Sequence, residues 1–219
     1  MLNIKETDRI LVVAPHPDDE SIGCGGLIAS YGRQCDVLLV TDGRNKKTGD
    51  PSIAETREKE FIRAMELAGV GKYTCLRIPE GEIPQNSDKI KAVDLGGYKY
   101  VFVPNKYENH RDHRAVYKAF KRLTGGKKRP VLCEYEVWTA LRETNLIHDI
   151  SAVAEKKIDM IKCHESQIGD LDYVGMIMGL AAYRGRQRGM EYAEAYYSKA
   201  ELKAEKRRHF RKKIKKFIK

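Results

Sequence analysis

A cluster of metal-binding residue types stands near the start of the sequence, in HPDDE at residues 16–20. It directly follows the apolar run at 10–14, which is typical of a buried strand. Charged groups crowded at the end of a buried strand cost free energy unless something offsets their charge. The imidazole of His16 and the carboxylate of Asp19, three residues later, are ligands that zinc accepts. The segment therefore predicts a metal site, and the alternative is that Asp18 and Asp19 only cap a helix.

A second cluster, NHRDH at residues 109–113, follows another strand-like run and opens a predicted helix. His110 and His113 are three residues apart, so that in the first helical turn they share one face. Asp112 can accept a hydrogen bond from a ring nitrogen, the usual support of a histidine ligand. A catalytic zinc site needs three protein ligands and one open position. The two clusters together could supply these ligands, and the alternative is a polar helix end with solvated histidines.

Glycines at positions 23, 25 and 26 raise the alternative of a dinucleotide-binding loop. The fingerprint G-x-G-x-x-G, counted from Gly23, requires a third glycine at position 28, where the sequence has isoleucine. Two aspartates and a glutamate at the same strand end would also repel a pyrophosphate. Dinucleotide binding is therefore disfavoured.

Strand-like runs alternate with helical patterns over the first 150 residues, which predicts an α/β fold. Runs such as VLLV are apolar at consecutive positions, as in strands buried on both faces. We therefore expect a Rossmann-like, mostly parallel sheet with helices on both faces. Ligands bind at the carboxyl edge of such sheets, so both clusters and the DGR segment at 42–44 should meet there. The predicted strands are 9–14, 36–41, 73–78, 99–104 and 131–137, and the predicted helices are 22–31, 52–67, 87–95, 111–123, 151–165 and 189–199.

The basic charge of the chain is concentrated in residues 199–219. This segment has 11 of the 41 Lys and Arg residues but 2 of the 31 acidic ones, which leaves the rest nearly neutral. We predict one α/β domain over 1–198 and a basic amphipathic C-terminal helix over 199–219. Such a helix can lie on an anionic membrane surface, or it can pack on the body or on a partner; nucleic acid is not expected. Its predicted apolar stripe consists of Phe210, Ile214, Phe217 and Ile218.

The cysteine pattern and the N-terminal sequence indicate the compartment. Five cysteines without a CxxC pair indicate neither a disulfide framework nor a cysteine zinc site. The opening residues MLNIKETDR are polar and charged, unlike a secretory signal. We expect a cytoplasmic protein, on the inner face of the membrane if the basic helix binds lipid. The sequence does not predict its oligomeric state.

The two clusters resemble the A/P-H-P-D-D-E and H-x-D-H motifs of the PIG-L/LmbE-like family of metal-dependent N-acetylglucosaminyl deacetylases. Weaker matches are TDG at 41–43, Arg57 in an R-x-x-E helix and HESQ at 164–167. The resemblance covers about residues 9–196 by the order of these motifs. The basic C-terminal segment is not part of the family pattern.

The resemblance implies that a zinc ion, or another divalent metal, is held by His16, Asp19 and His113. It also implies that Asp18 is the general base and that His110 is the electrophilic or acid partner. On this interpretation zinc would activate a water molecule and polarise the carbonyl of an N-acetyl group.

Three further residues have implied roles. Asp112 would orient His110, raise its pKa and keep it charged. Arg57 and His164 would contact the substrate, although from its position alone His164 is equally a helix-end residue. The implied reaction removes the N-acetyl group from an N-acetylglucosamine-type conjugate, lipid-linked or a glycan precursor. Two alternatives remain open: hydrolysis of another amide or ester, and a non-catalytic sugar-binding or interaction role on the same fold.

Overall fold

The computed structural model describes residues 1–44, 50–126, 129–169 and 172–207. Its main sheet has five parallel strands, and two further strands form an antiparallel pair. The main strands are β1 (Arg9–Ala14), β2 (Cys35–Thr41), β3 (Lys72–Ile78), β4 (Tyr98–Pro104) and β5 (Val131–Tyr135); the pair is β6 (Leu146–Asp149) and β7 (Ala193–Tyr196). The order in the main sheet is β3-β2-β1-β4-β5.

Within the described residues, six α-helices connect or follow these strands up to residue 198. Local capping explains α2 best: the Asp50 carboxylate accepts from Ser52 N at 2.8 Å, Pro51 is its first residue, and Gly69 ends it in the left-handed conformation. Residues 199–207 are also helical. The helices are α1 (Asp19–Tyr31), α2 (Pro51–Ala68), α3 (Ser87–Lys91), α4 (Arg111–Leu123), α5 (Ala154–Lys162) and α6 (Tyr173–Arg186).

Two hydrophobic clusters lie on opposite faces of the main sheet, because successive residues of a strand point to opposite sides. Val12 of β1 belongs to the cluster that includes Phe61 of α2 and Met160 of α5. Val13 belongs to the other cluster, with Phe120 of α4. The predicted α/β fold with helices on both faces is confirmed.

The position of β1 in the sheet determines where a ligand can bind. The chain passes from β1 to β2 and β3 on one side, and then returns to place β4 on the other side of β1. Loops after β1 and β4 therefore leave the sheet in opposite directions and open a crevice between them. Both metal-binding clusters of the sequence lie in these two loops.

The predicted helix over 189–199 is wrong, since residues 193–196 form β7. All four residues of β7 are buried, and Glu194 makes hydrogen bonds that hold it there. Its carboxylate accepts from Gly26 N at 2.7 Å and Leu27 N at 2.8 Å, and forms an ion pair with Lys157 Nζ at 2.6 Å. Tertiary pairing thus overrides the helical preference of the sequence in this segment. Strand β6 and helix α6 were not predicted.

Several predicted bounds also change. The fifth strand ends at residue 135 instead of 137, the third helix ends at 91 instead of 95, and the helix predicted over 151–165 ends at 162 after a 3₁₀ turn at Ser151–Val153. In the ranges given above, no helix has both the length and the apolar character needed to cross a bilayer. The predicted apolar stripe of the C-terminal segment lies outside the described residues, and the division at residue 198 stays a prediction.

Candidate active site

Three ligand atoms from the loops after β1 and β4 converge at the carboxyl edge of the sheet. His16 Nδ1, Asp19 Oδ2 and His113 Nε2 lie between 3.1 and 3.3 Å from one another. Ligand atoms bonded to a tetrahedral zinc ion at about 2.0–2.1 Å are separated by about 3.3 Å. All three side chains are buried. The three residues predicted as ligands therefore fit one face of a tetrahedral metal site.

His110 offers a second way to complete a three-ligand group. One ligand atom from each of His16, His110 and His113 lies within 4.8 Å of the others. This spacing is wider than that of the group with Asp19, and His110 is only partly buried. Its Nδ1 accepts a hydrogen bond from Asp112 N at 3.3 Å and so caps α4. We therefore assign the tighter group as the candidate ligand set and place His110 beside it.

Buried carboxylates support both candidate histidine ligands at the other ring nitrogen. Asp112 Oδ2 lies 3.3 Å from His16 Nε2 and also accepts from Gly81 N at 2.8 Å. Glu108 Oε2 lies 3.4 Å from His113 Nδ1. A carboxylate in this position orients the ring and determines which nitrogen is free to bind metal. Asp112 was expected to orient His110 with its side chain; instead the side chain contacts His16, and only its backbone N–H contacts His110.

Glu108 was not identified from the sequence. Its position two residues before the H-x-D-H motif was the one available signal. Oε1 of this buried carboxylate accepts from Val137 N at 3.3 Å and from Thr139 N at 2.9 Å, in the loop after β5. The same side chain therefore links a third loop to His113.

Asp18 stands outside the ligand group and in a strained backbone conformation. Its φ of 128° lies in a region that residues other than glycine rarely adopt. Such strain, of about 1–3 kcal/mol, is usually found where function requires a particular orientation. Burial and the negative charge of Asp19 raise the pKa of Asp18 to about 7, although Arg57 opposes this shift. A carboxyl group with this pKa can take up and release a proton near neutral pH.

Arg57 contacts the backbone of two loops. Its Nη1 donates to Gly43 O and its Nη2 to Pro17 O, both at 2.9 Å, and Nη2 also lies 3.4 Å from Asp18 Oδ2. Gly43 has a φ of 65°, and a Cβ there would lie 2.7 Å from Pro17 Cδ and 3.1 Å from Arg57 Cζ. This contact explains the glycine of the TDG segment. The substrate contact predicted for Arg57 stays a prediction; the observed contacts position Asp18.

The pKa values of the ligand group show that it attracts positive charge. Burial lowers the pKa of His113, but the carboxylates of Asp19 and Glu108 raise it to about 10. The pKa of His16 is likewise raised to about 9 against the effect of burial, by Asp112 and Asp19. Burial raises the pKa of Asp19, yet the two histidines hold it well below its usual range. The group is therefore arranged so that Asp19 is ionised and lies beside positively charged groups.

His110 differs from its expected charge state. Burial and the neighbouring His16 and His113 lower its pKa to about 4, and the opposing effect of Asp112 is smaller. The expectation that Asp112 keeps His110 charged is therefore wrong. Because His110 Nδ1 accepts the capping hydrogen bond, the proton of the neutral ring is on Nε2. The Nε2 atom lies 3.9 Å from Glu80 Oε1. A neutral ring with this tautomer is a hydrogen-bond donor.

The HESQ segment forms part of the wall beside Asp18. His164 is buried, and its Nε2 lies 3.1 Å from Glu20 Oε1 and 3.2 Å from Ser21 Oγ. Ser166 donates from N and Oγ to the Glu60 carboxylate at 2.8 and 2.7 Å, which fixes the segment on α2. His164 is therefore held by the helix that follows the HPDDE loop, and its predicted substrate contact stays a prediction.

Two aromatic rings that the sequence analysis did not single out stand near these residues. Trp138, the only tryptophan of the chain, is 43% exposed, and its ring meets that of Tyr173 edge-on with 5.5 Å between centroids. Trp138 lies between the two backbone N–H groups that bind Glu108. Burial and the charge of Asp18 raise the pKa of Tyr173, which places it within electrostatic reach of Asp18.

Comparison with known proteins agrees with the motifs. Residues 11–124 match the sequence profile of the PIG-L family, described as GlcNAc-PI de-N-acetylase. The chain belongs to the PIG-L family. The matched segment includes both candidate ligand loops, with His16, Asp19 and His113.

Two relatives and one solved structure are similar to this chain. Diacetylchitobiose deacetylase of Thermococcus kodakarensis is 29% identical and aligns with 86% of this chain and 82% of its own. A probable N-acetyl-alpha-D-glucosaminyl L-malate deacetylase of Bacillus subtilis is 30% identical over 73% of this chain and 83% of its own. The crystal structure of the 4-carboxy-2-hydroxymuconate hydratase GalB from Pseudomonas putida has a TM-score of 0.72 at 18% identity, covering 88% and 96%. At that identity the likeness concerns the fold alone.

Proposed function

We propose that the protein is a metal-dependent hydrolase that removes the N-acetyl group from an N-acetylglucosamine-type conjugate. The observation that carries this proposal is the group of His16 Nδ1, Asp19 Oδ2 and His113 Nε2, with Asp18 beside it and not in it. Membership of the PIG-L family and the deacetylase relatives support the substrate class. The metal is proposed to be zinc, since two imidazoles and one carboxylate form a donor set that zinc accepts.

Each residue of the site would have a distinct role in the reaction. A divalent ion in the ligand group supplies Lewis acidity, which polarises an amide carbonyl and makes water a better nucleophile. Asp18 takes a proton from the attacking water, because its pKa of about 7 suits this transfer. Arg57 holds the Asp18 carboxylate and the Pro17 carbonyl in place.

His110 would act as a neutral hydrogen-bond donor. Its Nδ1 is engaged by Asp112 N, so that Nε2–H remains to stabilise negative charge that develops on the carbonyl oxygen. A bound divalent cation would take the place of the charged His16 and His113, which must be neutral to bind it, in keeping the pKa of His110 low. Asp18, once protonated, is then the group that returns a proton to the departing amine.

Trp138 and Tyr173 would form an aromatic wall for the sugar. An exposed tryptophan held beside a polar site is typical of a ligand-binding rim, because aromatic rings pair an apolar face with a polar edge. Their edge-on contact fixes the two rings relative to each other. We propose His164, behind Asp18, as the further substrate contact.

Two other functions remain as alternatives. Hydrolysis of a different amide or ester would use the same residues, so that the conjugate tested decides between them. A non-catalytic sugar-binding role is disfavoured because candidate ligands, base and hydrogen-bond donor are all in place. The proposed cytoplasmic location and the association of 199–219 with an anionic membrane stay predictions, as does the oligomeric state.

The test is metal content combined with acetate release from a panel of N-acetylglucosamine conjugates, with and without a chelator. We expect about one zinc ion per chain and chelator-sensitive acetate release. Asp18→Asn should keep the metal and lose nearly all activity, whereas His113→Ala should lose both. Metal with no acetate from any conjugate would redirect the search to other amides. A protein that binds no divalent metal would contradict the proposal.

A further inference from the structure

A cationic groove lies between α3 and α4, and we propose that it binds a phosphate-bearing arm of the substrate. The groove has a volume of about 460 Å³ and an apolar floor that includes Ile83, Ile90, Ala115 and Ala119. Its basic lining comes from one helix: Arg111, Arg114, Lys118 and Arg122 of α4. The proposal rests on the proposed function, because the arm is taken to be part of the amino-sugar conjugate.

Helix geometry explains why these cations share one wall. They are spaced three, four and four residues apart, which places them on one face of α4. The opposite face is buried, with Val116 and Phe120 in the hydrophobic cluster and His113 in the ligand group. Ala115 and Ala119 lie between the long basic side chains, and their small size leaves the space open towards α3.

The four basic side chains have no acidic partner in the part of the chain that the structure describes. No ion pair within 4.0 Å involves them among those residues, and Arg114 Nη1 donates to the carbonyls of Glu108 and Asn109. Asp88, next to the lining residue Ser87, pairs with Lys91 at 2.7 Å and not with these side chains. Like charges four residues apart destabilise a helix, so this arrangement has a cost that a bound anion would remove.

The groove begins beside the candidate active site, because its lining includes the residue that follows His110. Arg111 stands between His110 and Asp112, at the first position of α4. The loop before α3 joins the two places, because Gly81 N donates to Asp112 Oδ2 at 2.8 Å and Ile83 belongs to the groove floor. From Arg111 the basic wall extends along the helix for about 16 Å, at 1.5 Å per residue. A substrate arm can therefore leave the site past Arg111 and follow the groove.

Phosphate is the anion that suits this wall best. A guanidinium group can donate two parallel hydrogen bonds to two oxygens of one phosphate. Several basic side chains in a row therefore suit a phosphodiester or diphosphate better than they suit a single carboxylate. The apolar floor would contact the uncharged part of such an arm. His113 lies on the buried face of α4 and not among the groove residues, so that the groove adds affinity for the conjugate without taking part in the reaction.

The test compares two lysines of α4. Lys118→Gln removes a charge from the groove, and Lys121→Gln removes the same charge from the same helix outside it, where Lys121 Nζ lies 5.5 Å from the Tyr117 ring centre. Acetate release is measured for UDP-N-acetylglucosamine and for the neutral methyl N-acetylglucosaminide. We expect Lys118→Gln to raise KM for the diphosphate conjugate by about five-fold, with kcat and both constants for the neutral conjugate unchanged. Lys121→Gln should change neither substrate.

A second measurement is independent of activity. Calorimetry with inorganic pyrophosphate should show binding that Lys118→Gln, but not Lys121→Gln, weakens by about five-fold, and that salt weakens. This result without acetate release from any conjugate would uphold the groove and refute the proposed function. Equal effects of the two substitutions, or no pyrophosphate binding by the unsubstituted protein, would overturn the proposal. The proposal would also be overturned if Lys118→Gln changed only the binding of the protein to phosphatidylglycerol vesicles. That result would assign the basic side chains to a membrane surface.

Discussion

Replacing Glu108 by glutamine tests how the candidate metal site is held. In the structure Glu108 Oε2 faces His113 Nδ1 at 3.4 Å, while Oε1 accepts from Val137 N and Thr139 N. In Glu108→Gln the amide oxygen can keep both backbone hydrogen bonds. The amide nitrogen then faces Nδ1 and requires it to be an acceptor, which moves the ring proton to Nε2. Nε2 is the atom that belongs to the ligand group, so metal binding must reverse this preference.

The expected size of the effect follows from the burial of the pair. Loss of a carboxylate behind a metal-bound histidine usually lowers metal affinity 10- to 100-fold, or about 1.4–2.7 kcal/mol. Both His113 and Glu108 have almost no exposed surface, so water does not replace the lost negative charge. We therefore expect an increase of the zinc dissociation constant towards 100-fold.

The assay is competition with a chromophoric chelator at fixed pH, with circular dichroism to verify folding. Glu143→Gln, at an exposed position, removes the same charge away from the site and should keep the affinity unchanged. If Glu108→Gln folds and binds zinc as tightly as the unsubstituted protein, the proton on His113 is not controlled by Glu108. That result would refute the reasoning.

Three further predictions concern other parts of the structure. Asp18→Asn should lower kcat at least about 100-fold, the usual contribution of a general base, with zinc content by metal analysis unchanged; loss of the metal would contradict its place outside the ligand group. Gly43→Ala should lower stability and kcat by pushing Arg57 aside, whereas Gly69→Ala, at a φ of 73° with no atom within 4 Å of the added Cβ, should cost stability alone. The pKa of Glu194 is lowered, because Lys157 and other hydrogen bonds outweigh burial. Its contribution to stability is therefore present above its unfolded-state pKa of about 4.5 and is lost as the pH falls from there through the lower folded-state value. Denaturant unfolding of Glu194→Gln should therefore show a weaker loss of stability as the pH falls below 4.5.

Short motifs indicated which side chains would lie together in the candidate ligand group, because each motif forms its own local geometry. The HPDDE loop and the first turn of α4 place their side chains through local backbone conformation, and the alternating pattern identified the strands that carry them. The ring proton and charge of His110 were not predictable in this way. They depend on His16 and His113, and on a capping hydrogen bond that the sequence shows only as a spacing.

Pairings between distant segments explain what the sequence did not reveal. Glu108 Oε2 contacts His113, which is close in the sequence. Glu108 Oε1 accepts hydrogen bonds from a loop about 30 residues later. β7 takes its conformation from Lys157 and from the backbone of α1, so the pattern of residues 189–199 alone favoured a helix. Helix α6 was missed because its glycines and weak polarity give no clear periodicity.

The order of the strands links metal binding to the whole fold. His16 and His113 are separated by 97 residues, and only the pairing of β1 with β4 brings their loops together. In the unfolded chain these ligands do not meet, so a metal ion bound by all three stabilises the folded state alone. Its contribution should therefore appear as a rise in the temperature of global unfolding that depends on metal concentration. Asp18→Asn should retain that rise and Glu108→Gln should reduce it, because the first residue stands beside the ligand group and the second holds one of its members.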